Sequence, residues 1–394
     1  MSLLPVAEAQ ARLFALGKPL ASESVPVIQA DGRYLASDVR ALRDQPWAAL
    51  SSMDGYAVRA GEQPGPWRVV AASRAGDGLP SPLMPGEACR IFTGAPLPPG
   101  ADAVLIQEDA LLADSLVRAG PEATLRPGRF VRTTAADFAI DSILLPVGTR
   151  IGAAQIALAV LGGHATLPVR RRARVALLST GDELVPPGIL AGDGRLPSSN
   201  APMLAAMLAR LHCDVIDLGI VPDDLDSTVA ALLAAASADI IVTTGGASVG
   251  DHDVVRPAVE KAGGSLDFWK VRMRPGKPLM AGHVGDALFL GLPGNPVSAF
   301  VTATLFLLPL VRHLSGATDP LPTSREAVLS TPLEPIGDRD AYLRARHCDG
   351  GIAPVPSQES SATFSLASAD CLIARPAGSP ALSPGDRVTI LPVD

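Results

Sequence analysis

The sequence predicts an α/β plus β fold in several domains: a mainly parallel α/β sandwich, a small β domain and a C-terminal β-barrel. Three observations predict it. Between Arg174 and Gly316, short apolar runs alternate with runs of helical period, the pattern of a parallel sheet covered on both faces. On either side of that segment the chain reads as short β-like runs broken by Pro and Gly. The chain has 394 residues, which at roughly 150 residues per domain allows two to four domains. The expected division is an N-terminal helical and linking region (1–45 with 140–172), a β domain (46–139), the α/β domain (173–316) and the barrel (317–394).

In order along the chain, residues 6–16 have helix-like apolar spacing. The runs 67–71, 88–92 and 102–107 read as strands, separated by turn signals such as Ala95-Pro96-Leu97-Pro98-Pro99-Gly100. Residues 153–162 read as a helix leading to Arg170-Arg171-Arg172, a run expected to be a solvated basic hinge. Then come a strand at 175–178 and a helix at 203–211 with Ser199-Asn200 as its cap. A strand at 214–221 and a helix at 223–236 opened by Asp223-Asp224 follow. A strand at 239–243 runs into glycines, and a helix at 254–262 succeeds it. Two β runs, 278–281 and 287–290, precede a closing helix from near Asn295. In the last part, 342–346, 371–374 and 387–391 read as the strands of a small barrel.

Composition narrows the function. Apolar residues are 47% and charged residues 19%, an ordinary globular balance. Aromatics are only 4% and the net charge is -7, so neither base stacking nor the global field favours nucleic acid. The apolar stretch 297–311 is about 15 residues, short of the roughly 20 needed to cross a bilayer. The first residues lack the basic segment and apolar core of a signal peptide, so the expected location is cytoplasmic. The four cysteines, Cys89, Cys213, Cys348 and Cys371, have no zinc-like spacing.

The strongest chemical signal follows the 239–243 strand. Thr244-Gly245-Gly246-Ala247-Ser248-Val249-Gly250 runs into a helix, where glycines admit a ligand close to the backbone and free N–H groups attract an anion. Asp251-His252 stands where a Walker loop has Lys-Ser/Thr, and no dinucleotide fingerprint is present. Asp251 and Asp253 beside such a loop suggest a bridging divalent cation, or else simple capping of the next helix. Asp182-Glu183 and Asp223 follow strands of the same sheet and favour the cation. Arg272, Arg274 and Lys277 bracket Pro275-Gly276, a loop suited to an oxyanion or, alternatively, only solvated. Leu292-Pro293-Gly294-Asn295-Pro296 is a rigid strand-to-helix turn with Asn295 as cap. Asp54 beside Gly55 and Thr93 beside Gly94 read singly as ordinary turns.

Taken as an ordered set, Ser52-Met53-Asp54-Gly55-Tyr56-Ala57, Thr180-Gly181-Asp182-Glu183-Leu184, 245–250 and 292–296 make the chain resemble the molybdopterin molybdenumtransferases, the MoeA and gephyrin E-domain family, nearly end to end. The resemblance implies a molybdopterin-binding-like α/β domain and insertion of molybdenum from molybdate into adenylylated molybdopterin, with release of AMP and help from Mg²⁺. It also implies a homodimer with an intersubunit site and leaves room for a molybdopterin adenylyltransferase partner. Positions matching the family's catalytic set are Asp54, Thr93, Glu183, Asp223, Asp253 and Lys277, with Glu183, Asp223 and Asp253 as metal ligands. The matching substrate-binding positions are Gly245, Gly246, Ser248, Gly250, Arg132, Asp137, Arg274, Pro293 and Pro296. Three departures stand out: Ala135-Ala136 where the family usually has Gly-Glu, Arg274 where it often has Lys, and Trp47-Ala48-Ala49 without the usual acid. The alternative is a non-catalytic molybdopterin-binding or scaffold relative, which would have no need of the retained acids.

Overall fold

The computed structural model describes residues 3–189, 192, 194–246 and 254–393. Its central sheet has six strands in the order Asp214–Val221, Arg174–Thr180, Ile240–Thr244, Ala287–Leu292, Met280–Val284 and Ser265–Trp269. The first four are parallel, and only Met280–Val284 runs against them, pairing antiparallel with both of its neighbours, so the sheet is mixed with a parallel core. Its central strands are buried on both faces, and successive residues enter opposite cores. Val175, Leu177, Ile240, Val242, Leu288 and Leu290 pack on one side. Ala176, Ile241, Ala287 and Phe289 pack on the other.

Helix Leu225–Ala234 opens as the acids at 223–224 suggest, though one residue does the capping. Asp224 accepts the Ser227 N–H at 2.8 Å, which leaves Asp223 for another role. In the helix Asn200–Ala209, Ser199 occupies the cap position without a side-chain capping bond, contrary to expectation. The closing helix runs Pro296–Thr302, widens into a π turn over Ala303–Leu307, and continues as Leu308–Leu314. Pro309 explains the widening, because it has no N–H and its ring would strike the carbonyl four residues back. The span Pro296–Leu314 is long and apolar enough to cross a membrane, but 78% of it is buried inside the protein. Helix Val6–Leu16 packs on the same core through Val6, Ala9 and Leu13. It therefore sits with the α/β unit, apart from the linking region with which the sequence grouped it. That region has its own core from Leu35, Val39, Leu145, Ile151, Leu167 and Val169.

Residues 170–172 are not simply a solvated hinge. Arg171 forms a two-pronged pair with Asp239 at 2.6 and 2.7 Å, and the Arg174 N–H donates to the same carboxylate at 2.8 Å. Burial pushes the Asp239 carboxyl up, but Arg171 and the Arg174 N–H outweigh it, so the group lies below its ordinary value. This contact ties the start of two parallel strands to the linking region.

The β domain is a mixed six-stranded sheet, with Gly55–Val58 between Ala103–Ile106 and Glu87–Ile91. The C-terminal sheet orders Met273–Arg274, Asp340–Cys348, Cys371–Arg375, Arg387–Pro392 and Arg325–Val328, with Gly351–Pro354 pairing Asp340–Cys348. A bridge between Leu329 and Ile352 then joins its two sides. The four cysteines are free, and burial raises the Cys89, Cys213 and Cys371 thiols to about 11.

Candidate active site

The carboxyl ends of the four parallel strands surround a cavity of about 660 Å³. Thr180 and Gly181 end the strand Arg174–Thr180, Thr244 ends its neighbour, and Pro293 follows the next. Ligands of open α/β sheets bind at this edge because the strand-to-helix turns there diverge and leave a crevice. Gly245 and Gly246 form part of the wall with φ of +98° and +58°. A Cβ on Gly245 would lie 2.4 Å from the Thr180 carbonyl oxygen, so only glycine lets the turn come this close. The wall is completed from the C-terminal domain by Ser361 and Thr363.

Glu183 and Asp223 both line this cavity. Their turns are held together by Asp182, which the motif contained but no role singled out. The Asp182 N–H donates to Asp223 Oδ2 at 3.3 Å, and the Asp223 N–H donates to Asp182 Oδ1 at 3.1 Å. Asp253, the expected third metal ligand, lies outside the described residues, as do Ser248 and Gly250. Among the described residues, no group of three or more His, Cys, Asp or Glu side chains is arranged to hold a metal ion. The two acids that are placed offer only oxygen donors, the donor type that suits a hard divalent cation such as Mg²⁺.

A second cavity of about 450 Å³ adjoins the first and shares Pro278, Ser298 and Ser361 with it. Arg274 and Lys277 line it, together with Arg339, which the sequence reading did not pick out. Arg344 supports the far wall. It is almost fully buried, and its Nη2 donates to the carbonyls of Ser357 at 2.8 Å and Glu359 at 3.0 Å. Asn295 Nδ2 donates to Ser360 Oγ at 2.9 Å and does not cap its own helix, so the 357–361 segment is pinned from both domains. Pro296 occupies the first helical position and lines the first cavity with Pro293.

The other expected residues lie elsewhere. Asp54 Oδ1 accepts the Thr93 N–H at 2.7 Å and the Thr93 hydroxyl at 2.9 Å. These two bonds, backbone first, hold its carboxyl below the ordinary value. Neither residue lines either cavity. Arg132 and Asp137 are exposed beside a turn in which Ala135 has φ +58°. The Ala135 and Asp137 N–H groups donate to the carbonyls of Pro46 and Gln45, both at 2.9 Å. Ala135 thus holds a glycine-like backbone with a Cβ added.

Residues 4–163 match the MoeA N-terminal region (domains I and II) and residues 176–313 a probable molybdopterin binding domain. Residues 326–393 match the MoeA C-terminal region (domain IV). A molybdopterin molybdenumtransferase of Nostoc sp. (strain PCC 7120) is 36% identical over 389 residues, covering 94% of this chain and 88% of that protein. A molybdopterin molybdenumtransferase of Bacillus subtilis (strain 168) is 33% identical over 405 residues, covering 98% and 94%. The crystal structure of a molybdopterin biosynthesis MoeA protein from Pyrococcus horikosii matches with a TM-score of 0.85 at 28% identity, over 99% of both chains.

Proposed function

The chain belongs to the molybdopterin molybdenumtransferase family, and from that premise we propose how its two joined cavities divide the reaction. It is an enzyme of molybdenum cofactor biosynthesis that transfers molybdenum to molybdopterin. In our reading the substrate is adenylylated molybdopterin, the metal source is molybdate, and AMP leaves. The organic substrate occupies the cavity at the strand ends, and molybdate enters at the adjoining cationic cavity. The observation that carries this division is the placing of the cations: Arg274, Lys277 and Arg339 line the second cavity beside one acid, Glu359, whereas the described lining of the first has the acids Glu183 and Asp223 and no Lys or Arg.

The residues' work follows from their chemistry. Lys277 offers a compact positive charge and Arg274 a planar fork, and both attract the tetrahedral oxyanion. The same cations favour the negative charge that grows on a departing phosphate. Glu183 and Asp223, with Asp253, would hold Mg²⁺, which when bound neutralises charge on the phosphoanhydride. Asp182 keeps the turns of Glu183 and Asp223 in register. Asp54 and Thr93 line neither of these two cavities in their own chain, which fits a homodimer in which they complete the partner's site. Arg132 lies on a strand paired with Leu50–Ser51, close in sequence to Asp54. We place the reaction in the cytoplasm, fed by a molybdopterin adenylyltransferase.

The test mixes purified protein with adenylylated molybdopterin and molybdate, with and without Mg²⁺, and follows AMP release and active cofactor together. Both products appearing, and both lost without Mg²⁺, is the expected result. Binding without turnover would overturn the catalytic reading in favour of a scaffold. Lys277→Ala is expected to raise the molybdate requirement while leaving binding of the pterin substrate unchanged.

A further inference from the structure

Two buried side-chain oxygens in the wall of the first cavity, Thr180 Oγ1 and Asn200 Oδ1, have no partner among the described residues. Thr180 is 4% exposed and Asn200 is 9% exposed, and both line the cavity. Among the described residues, the Thr180 hydroxyl and the Asn200 Oδ1 have no hydrogen-bond partner. Buried polar groups in folded proteins are almost always paired, so unpaired ones facing a cavity point to a ligand. Their neighbours set the contrast. The Ser198 and Thr244 hydroxyls both donate to Ser179 Oγ, at 3.3 and 3.4 Å.

The bonds that do exist dictate which chemistry is missing. Asn200 Nδ2 donates to the Gly294 carbonyl at 2.7 Å, which orients the amide and leaves Oδ1 as an acceptor only. Phosphate and molybdate present mainly acceptor oxygens, so neither suits it. The Thr180 hydroxyl can donate or accept. It also stays uncovered because of the glycine turn, since a Cβ on Gly245 would sit 2.8 Å from its oxygen. An acceptor and a hydroxyl on the wall of one cavity suit a ring edge that carries an N–H donor next to a ring nitrogen.

We propose that Thr180 and Asn200 form a subsite for the amino-pyrimidine edge of the substrate, chemistry shared by its pterin and adenine halves. The inference rests on the substrate reading above and gives it a polarity. The ring edge goes to the strand ends at Thr180 and Asn200. The anionic end points across Pro278, Ser298 and Ser361 toward Arg274 and Lys277.

Calorimetric binding of molybdopterin, AMP, purine riboside monophosphate (AMP without its amino group) and molybdate to Thr180→Val, Thr180→Ser and Asn200→Ala tests this. Thr180→Val and Asn200→Ala are expected to weaken molybdopterin or AMP by about tenfold, with molybdate unchanged and Thr180→Ser close to wild type. Loss confined to molybdopterin assigns the pterin. Loss confined to AMP, with wild type also binding the deaminated analogue more weakly, assigns the adenine. Unchanged affinity for both organic probes in the near-isosteric Thr180→Val would overturn the subsite, as would an equal loss for molybdate. Wild-type protein that binds molybdopterin yet never forms cofactor would sink the transferase mechanism and leave the subsite standing.

Discussion

Two acid-bearing turns in this chain solve opposite problems. At Asp54 the carboxylate is answered locally, because Thr93 supplies both its backbone N–H and its hydroxyl to one oxygen. At the strand ends, Asp182 and Asp223 brace each other's backbones, while Thr180 and Asn200 beside them keep unanswered polar atoms. The first turn is a finished local structure on an open surface, so any further partner must come from outside the chain. The second is built around a space. The difference teaches that a motif acid alone does not identify the place where a ligand sits. What identifies it is whether the neighbouring polar groups have been left for something else.

The sharpest way to break the comparison is to neutralise an acid in each turn. Glu183→Gln and Asp223→Asn are expected to lower turnover by about 100-fold or more, and Glu183→Gln should leave the denaturation midpoint unchanged. Asp54→Asn is expected to reduce turnover as well, again without loss of stability. Full activity in that variant would confine the Asp54 turn to a local role. Because the Asp54 carboxyl lies below its ordinary 3.8, it stays ionised across the neutral range. Any pH dependence of activity above 5 must then come from another group, and a turnover profile against pH checks this.

A second contrast sets the scaffold against the site. Asp239→Asn removes the fork that Arg171 grips far from the cavity, and should destabilise the fold by about 2 kcal/mol in urea titrations. The sign in pH follows from the lowered carboxyl. Its stabilisation is fully present above the unfolded value near 3.8 and is lost as pH falls through the lower folded value. Turnover per folded molecule should not change. The smallest effect belongs to Ala135→Gly, which relieves a left-handed backbone and is expected to stabilise by about 1 kcal/mol or less, net of glycine's larger unfolded-state entropy. A loss of stability there would show that the Ala135 methyl makes a contact worth more than the strain.

Much of the strand and helix order could be read in advance, because a buried parallel strand and an amphipathic helix leave different apolar periods. The turns holding Glu183, Asp223, Pro293 and Pro296 were legible for a related reason, since each opens on Gly181, Pro222 or Pro293 directly after a strand. Arg339, Ser361 and Thr363 were not. They stand far along the chain in a different domain, and nothing local marks them as walls of the same cavities. Asn200 was read as a helix cap, the common role for Asn at that position, while its side chain turns to Gly294.

By itself the sequence determined the alternation of strands and helices, the glycine turns that need positive φ, and the family motifs with the acids they carry. These are short-range properties, set by local sterics and by which side of each element is apolar. Tertiary structure alone decided that two domains would share one wall, that Asp182 would brace Asp223, and that Thr180 Oγ1 and Asn200 Oδ1 would be buried with no partner among the described residues. Those outcomes depend on which distant surfaces meet. Close packing sets that for the whole chain at once, and no window of neighbouring residues contains it.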